Sequence, residues 1–328
     1  MGGIVELRIV RTTIIVLAIA AVGRMAECAN VTDVWLDVDT ATGIGDVDDG
    51  LMLIQSFHSP EVNIRGISVV FGNAPLDKAV PIAGRITSQF GPAGLTPKPG
   101  AASSADFGKS SEAVEAMAVE LERRPMTIVA VGPVTNVGTL VKIHPHLHDR
   151  IERIVMVAGR RPGQRFVSNE KQKIPHRDFN FELDPAAMQA ILDTKIPLVF
   201  APWEVSSHVW ISRDDLETLR RSGESGSWIA QTSQYWIERW EKNIDDRGFN
   251  PFDTLAMGWI THPQLIETEE LNVAIEEVPD DRIAAGQPPK NKPYLLVRPA
   301  DTPSRRVIYC RTPRPGFKEL LMQRLRGS

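Results

Sequence analysis

The sequence predicts an α/β fold: an open, mostly parallel sheet flanked by helices. Three observations carry this expectation. Short apolar runs rich in β-branched residues recur along the chain, stretches with helical periodicity separate them, and a polar or glycine-containing turn follows each run. Runs of this length and composition read as buried strands. Regular strand–helix alternation reads as right-handed βαβ units around a parallel sheet.

Taken in order, strands are expected at Val34–Val38, Val62–Val70, Met126–Val131, Ile151–Ala158 and Ile196–Ala201, with a last one at Tyr294–Arg298. Helical patterns fall at Asp48–Phe57, Leu76–Phe90 and Ser111–Arg123. The segment Ser225–Trp259 holds four of the seven tryptophans and is expected to form helices on one side of the sheet. Gly91–Gly100 reads as a surface loop, and residues 279–293 as a polar loop ahead of the final strand. No internal repeat or long low-complexity stretch interrupts the pattern.

The N-terminus has a composition of its own. Arg8 and Arg11 precede the apolar run Thr12–Val22, and small residues follow as far as Ala29. A basic start, a short apolar stretch and a small-residue end read as a secretory signal; the alternative is an uncleaved membrane anchor, against which the run is short for spanning a bilayer. Residues 1–29 are therefore expected to be a signal peptide and 30–328 a single domain, periplasmic or secreted, with no stable membrane association once the signal is removed. The 328 residues are 42% hydrophobic with a formal net charge of −4, the profile of a globular protein with no electrostatic reason to bind nucleic acid. Of the two cysteines, Cys28 lies in the segment expected to be removed. Cys310 is then left without an intrachain disulfide partner.

In an open parallel sheet, ligands bind beyond the carboxyl ends of the strands, so chemistry is sought there. After the first strand, Asp37, Asp39, Asp46, Asp48 and Asp49 fall within thirteen residues. An exposed acidic run would be a solvated loop. These carboxylates begin inside a buried strand and end at a helix start, where like charges raise each other's pKa. A hard divalent cation resolves that repulsion, and oxygen-only ligands select Ca²⁺ or Mg²⁺ over zinc. Other strand ends add Asn73 in VVFGN, the turn VGPVTN from Val131, then Asp178 and Asn180 in DFN and Asp253 in NPFD. A lone Asn in a turn or Asp at a helix start is ordinarily structural; the joint pattern is what points to a site.

These segments, in this order, make the chain resemble the nucleoside hydrolases of the inosine–uridine-preferring type from about Val34 to Ile260. The resemblance implies a Rossmann-like core and a catalytic domain that hydrolyses the N-glycosidic bond of ribonucleosides to ribose and free base, serving purine and pyrimidine salvage. It implies one Ca²⁺ held by Asp39, Asp49, Asp253 and the Val131 carbonyl, with Asp39 also the general base. Asp48, Asn73, Asn180 and Asp178 match substrate-binding positions, and relatives form dimers or tetramers. Asp37 is expected to hold the loop in place. Three features depart from the family pattern: the gap between Asp39 and Asp48 is longer, Asp178 stands where many relatives have Glu, and Phe252 stands where a histidine assists the departing base. Without that histidine, Tyr235, Trp236 and Trp240 in SQYWIERW are expected either to stack on the base, with a lean towards purines, or to form a core or interface stripe, and His208 is the fallback partner. Two other classes fit less of the chain. A haloacid-dehalogenase-like Mg²⁺-dependent phosphatase would use Asp37 as nucleophile, but Ala41 departs from its motif and DFN and NPFD have no role in it. A non-catalytic ribosyl-binding protein would keep the calcium site without turnover.

Overall fold

In the computed structural model the first strand lies inside the sheet, with the chain building outward from it to both sides. Residues 31–170, 172–283, 286–299 and 305–327 are described, with Gly2 alone from the leading segment; the signal expected over residues 1–29 lies outside them. The chain divides into Met1–Asn30 and Val31–Ser328, and the second part contains the sheet. Its strands are β1 (Thr32–Val38), β2 (Val62–Val69), β3 (Lys98–Pro99), β4 (Met126–Ala130), β5 (Ile151–Met156), β6 (Leu198–Phe200), β7 (Ile266–Pro279), β8 (Asn291–Arg298) and β9 (Arg306–Pro313). They form one sheet in the order β3-β2-β1-β4-β5-β6-β9-β7-β8. The pairs from β3 across to β9 are parallel, whereas β7 runs antiparallel to both β9 and β8.

The helices are α1 (Asp48–Phe57), α2 (Leu76–Phe90), α3 (Glu112–Arg123), α4 (Thr135–Ile143), α5 (Phe179–Leu183), α6 (Pro185–Leu192), α7 (Trp203–Ser206), α8 (Arg213–Arg220), α9 (Glu224–Thr232), α10 (Gln234–Asn243), α11 (Phe252–Thr261) and α12 (Phe317–Arg326). They cover both faces, because successive side chains of a strand point to opposite sides. Val34, Leu36 and Val38 of β1 enter one apolar cluster with α1, α2 and α11. Trp35 enters the other, with α3, α4 and α6. The expected strands and helices are all present. The antiparallel end was not foreseen: in β7 the glutamates 267, 269, 270, 276 and 277 break the apolar alternation that marks a strand. The Gly91–Gly100 loop also contributes the two-residue edge strand β3.

One buried polar knot fixes the strand ends beneath the acidic loop. Ser68 Oγ on β2 and Asn136 Nδ2 on α4 both donate to Asp37 Oδ1, at 2.5 and 2.8 Å. Trp35 Nε1 donates to Ser68 Oγ at 2.8 Å, and the Ala101 amide donates to Asn136 Oδ1 at 2.8 Å. Asp37 is wholly out of solvent, which suits a positioning role and gives it no access as a nucleophile. Replacing Asn136 by Ala leaves the Ala101 amide without its acceptor and Asp37 with Ser68 as its one remaining side-chain donor. Leaving buried polar groups unsatisfied costs about 1–3 kcal/mol, so N136A is expected to lose at least that much stability in urea denaturation; a loss below about 0.5 kcal/mol would show that the knot contributes little.

Candidate active site

The chain passes from β1 to β2 and β3 on one side, then crosses to β4 on the other side of β1. That reversal is a topological switch point, and the crevice beyond the carboxyl ends of β1 and β4 is where such sheets bind ligands. Asp39 leaves β1 there and Val131 leaves β4. Helices α1 and α11 aim their N-termini at the same place, with Asp48 and Asp49 in the first turn of one and Asp253 in the first turn of the other. The two helices are tied by Gln55 Nε2 donating to the Thr254 carbonyl at 3.2 Å. Helix N-termini favour negative charge.

The long stretch between Asp39 and Asp48 does not separate the aspartates. It closes on itself through the Ile44 and Gly45 amides, which both donate to the Ala41 carbonyl. Ile44 is left 57% exposed. Asp46 then holds the turn ahead of α1, its Oδ1 accepting from the Val47 amide at 2.7 Å and the Asp48 amide at 3.4 Å. The Asp39 amide consequently meets Asp49 Oδ1 at 2.9 Å. Asn73 clamps the Asp39 carboxylate, its main-chain amide on Oδ2 at 2.8 Å and its Nδ2 on Oδ1 at 3.2 Å.

Carboxylate oxygens of Asp48, Asp49 and Asp253 converge within 4.8 Å of one another. All three, and Asp39, are buried. Burial pushes Asp39, Asp48 and Asp253 well above the usual carboxylate range, and each is pushed further by a neighbouring aspartate. Burial also raises Asp49 to about 7 and Asp46 to about 6. Asp49 Oδ2 is buried with no hydrogen-bond partner. An oxygen-lined, mutually repelling cluster with an orphaned carboxylate oxygen fits a hard cation. Of the metal set expected from sequence, the structure brings Asp49 and Asp253 together, places Asp39 against Asp49, and adds Asp48. Val131 offers its carbonyl nearby, accepting from Asn180 Nδ2 at 2.6 Å.

The remaining expected residues surround a cavity of about 1160 Å³. Asp46, Asp48, Asp253, Asn73, Val131 and Asn180 line it. Asp39 and Asp49 are fully buried outside that lining. Asp178 also lines the cavity; its Oδ2 accepts from the Gly159 amide at 2.9 Å, and burial raises it to about 6. Both expected tryptophans line the cavity but differ in exposure. Trp240 is 1% exposed and packs edge-on or tilted against Trp210, Trp236 and Phe252, with ring centroids 6.0–6.4 Å apart, whereas Trp236 is only half-buried. His208 is exposed and lies outside the lining. The imidazole in the wall is that of His176, which sequence reasoning passed over. The available signal was its place two residues ahead of the DFN segment.

A profile of the inosine–uridine-preferring nucleoside hydrolases matches residues 34–298. The chain belongs to the nucleoside hydrolase family. The match runs past Ile260, where the sequence resemblance faded, and takes in β7 and β8. Among its relatives is the pyrimidine-specific ribonucleoside hydrolase RihA of Citrobacter koseri, 28% identical over 263 residues that cover 70% of this chain and 80% of that one. The RihA of Escherichia coli O9:H4 is 27% identical, covering 85% and 95%. Among solved structures, a purine-preferring ribonucleoside hydrolase from Gardnerella vaginalis superposes with a TM-score of 0.73 at 19% identity, covering 90% of this chain and 98% of that one. The inosine–uridine-preferring enzyme of Bacillus anthracis gives 0.70 at 16%, covering 90% and 100%. This nucleoside hydrolase is an N-glycosyl hydrolase that cleaves ribonucleosides to ribose and free base, and its family depends on a metal ion. The phosphatase reading of Asp37 falls with this assignment.

The raised carboxylates give stability a sign with pH. Asp37 and Asp49 titrate at about 7 in the folded chain against an ordinary value of 3.8. Between those values the folded state holds more protons than the unfolded one, so stability falls as pH rises through the window. Chelator-stripped protein is expected to melt at a lower temperature at about pH 8 than at about pH 5. Excess divalent cation is expected to recover most of the difference at the higher pH. Equal melting temperatures in chelator at both pH values would contradict the account.

Proposed function

We propose that this nucleoside hydrolase works with one Ca²⁺ at the aspartate cluster and with Asp39 as general base. The observation that carries the reading is the convergence of Asp48, Asp49 and Asp253 within 4.8 Å, with the Asp39 main-chain amide donating to Asp49 Oδ1. Asp39, Asp49, Asp253 and the Val131 carbonyl would hold the cation, with Asp48 turned to the ribose hydroxyls. A cation there supplies ribose orientation and a water of lowered pKa. Asp48, Asn73, Asn180 and Asp178 line the cavity where the sugar would sit. Breaking the C1′–N bond leaves positive charge on the ribose, and the buried carboxylates stabilise it. Asp39 takes a proton from the attacking water, the Asn73 clamp holding its carboxylate in place. Export by the leading segment, and assembly into dimers or tetramers, complete the proposal; the mass of the mature chain and light scattering test them.

One observation favours a second candidate for the base. Asp46 lines the cavity, is only half-buried and is raised by burial to about 6, whereas Asp39 is enclosed. The two assignments separate by mutation. D39N is expected to fold and to lose about 10²–10⁴-fold in kcat, the range for removing a general base. D46N is expected to lose far less, since the Asn side-chain oxygen can still accept from the Val47 amide. The reverse ranking, in variants that bind the metal normally, would move the role to Asp46. Metal analysis of chelator-free protein should find about one calcium per chain; stoichiometric zinc, or no metal, would sink the calcium assignment.

The aromatic wall is expected to set base preference, with purines favoured. Base–aromatic stacking is worth roughly 1–3 kcal/mol per base. W236A is therefore expected to change the inosine-to-uridine ratio of kcat/KM by about tenfold or more. W240A removes a core side chain and is expected to cost about 3–5 kcal/mol of stability first. A ratio unmoved by W236A would make Trp236 structural.

A further inference from the structure

The departing base carries away the electron pair of the C1′–N bond, and a group that meets that charge must lie in the cavity wall away from the carboxylates. Phe252 has no polar atom to offer. Trp240 tilts against the Phe252 ring at 6.1 Å between centroids. His176 lies nearly flat on the Trp240 ring, 5.5 Å between centroids at an interplanar angle of 23°. His176 is the one imidazole in the cavity lining, and its Nε2 is out of solvent with no hydrogen-bond partner among the described residues. Buried polar atoms are nearly always paired, so an orphaned ring nitrogen in the wall of a ligand chamber is a group still short of a partner. The segment holds the ring by its backbone, the His176 amide donating to the Phe166 carbonyl at 2.8 Å.

We propose that His176 is the catalytic residue that receives the departing base, donating a hydrogen bond from its ring to the base atom on which the C1′–N electron pair settles. The balance is simple. The C1′–N bond breaks, its electron pair stays on the base, water oxygen bonds C1′, and the water proton goes to the buried carboxylate. The base anion, held by the imidazole N–H, takes its proton from solvent on release and the carboxylate returns its proton to solvent, so both groups end as they began. Burial and the nearby Arg282 lower its pKa to about 4, which keeps the ring neutral and in the donor form this role needs. The inference rests on the ribonucleoside-hydrolase reading of the site.

The test compares leaving groups. In p-nitrophenyl riboside the departing phenolate is stable as an anion and needs little help, whereas hypoxanthine and uracil need it. Removing one donor to a developing anion is worth about 10²–10³-fold in kcat. H176A is expected to lose that much on inosine and uridine and less than about threefold on p-nitrophenyl riboside. H176F, which keeps the stack and lacks the nitrogen, should behave as H176A. H176Q, which restores a donor, should recover part of the nucleoside rate. Equal losses on all three substrates, or nucleoside rates within about threefold of wild type, overturn the proposal. A wild-type protein that cleaves p-nitrophenyl riboside but neither nucleoside overturns it while leaving the hydrolase reading in place; one that cleaves none of them brings down both.

Discussion

Four carboxylates buried against one another set the terms for everything around them. Asp39, Asp48, Asp49 and Asp253 are each removed from water, and burying ionised carboxylates together is among the least favourable acts a fold performs. The surrounding structure is arranged to make it tolerable. Two helices end at the cluster with their N-termini, and Asn73 directs two donors at Asp39. The glycines of FGN and VGP belong to the same arrangement. A Cβ on Gly132 would stand 2.8 Å from the Asp39 Cβ, and one on Gly72 would overlap the Asp39 carboxylate. These motifs let backbone close over a carboxylate. What the protein chain leaves uncompensated, a hard cation compensates.

This constraint explains what was legible in the sequence. Asp residues inside an apolar strand and at a helix start contradict the surrounding pattern, and such conflicts mark function. The aspartates, Asn73, Asn180 and Asp178 could be read for that reason, and the parallel core could be read because its strands are continuous apolar runs. The extra residues between Asp39 and Asp48 obscured the register in one dimension only. The turn closing on the Ala41 carbonyl carries them outward and restores the Asp39–Asp49 contact. Strands β7 and β9 were hidden because one is studded with glutamates and the other follows a polar segment. Asn180 shows a further limit. Sequence placed it at the ribose, but not that its amide would be engaged by the Val131 and Val157 carbonyls. His176 escaped because it lies between β5 and α5, where glycine, proline and charged residues leave no periodicity to place a side chain.

Trp240 illustrates how one aromatic helix serves both stability and chemistry. The SQYWIERW pattern did not decide between core stripe and base platform, and the fold divides the two functions. Trp240 joins the core beside Ile237, and its neighbour one turn earlier, Trp236, keeps part of its face in the cavity. A rigid ring beneath His176 restricts where the imidazole sits, and a donor fixed in advance needs no reorganisation when charge appears.

The cavity therefore carries opposite requirements for the sugar and for the departing base. Carboxylates that stabilise a cationic ribose would raise the energy of an anionic base, and in a low-dielectric chamber that penalty reaches further than in water. The lining carries both signs. Its acidic side chains, Glu238 apart, are the aspartates 46, 48, 178 and 253, whereas Lys173, Arg177, Arg239, Lys242 and Arg282 complete the wall. Arg239 sits over the Trp236 ring at 5.7 Å and still lowers the pKa of Asp46. A carboxylic acid at the base end would add to the negative field already present. A neutral imidazole, laid on an indole and backed by an arginine, donates a hydrogen bond without adding negative charge. The same field that demands a cation at the aspartates thus favours a neutral donor beside cationic side chains for the leaving base.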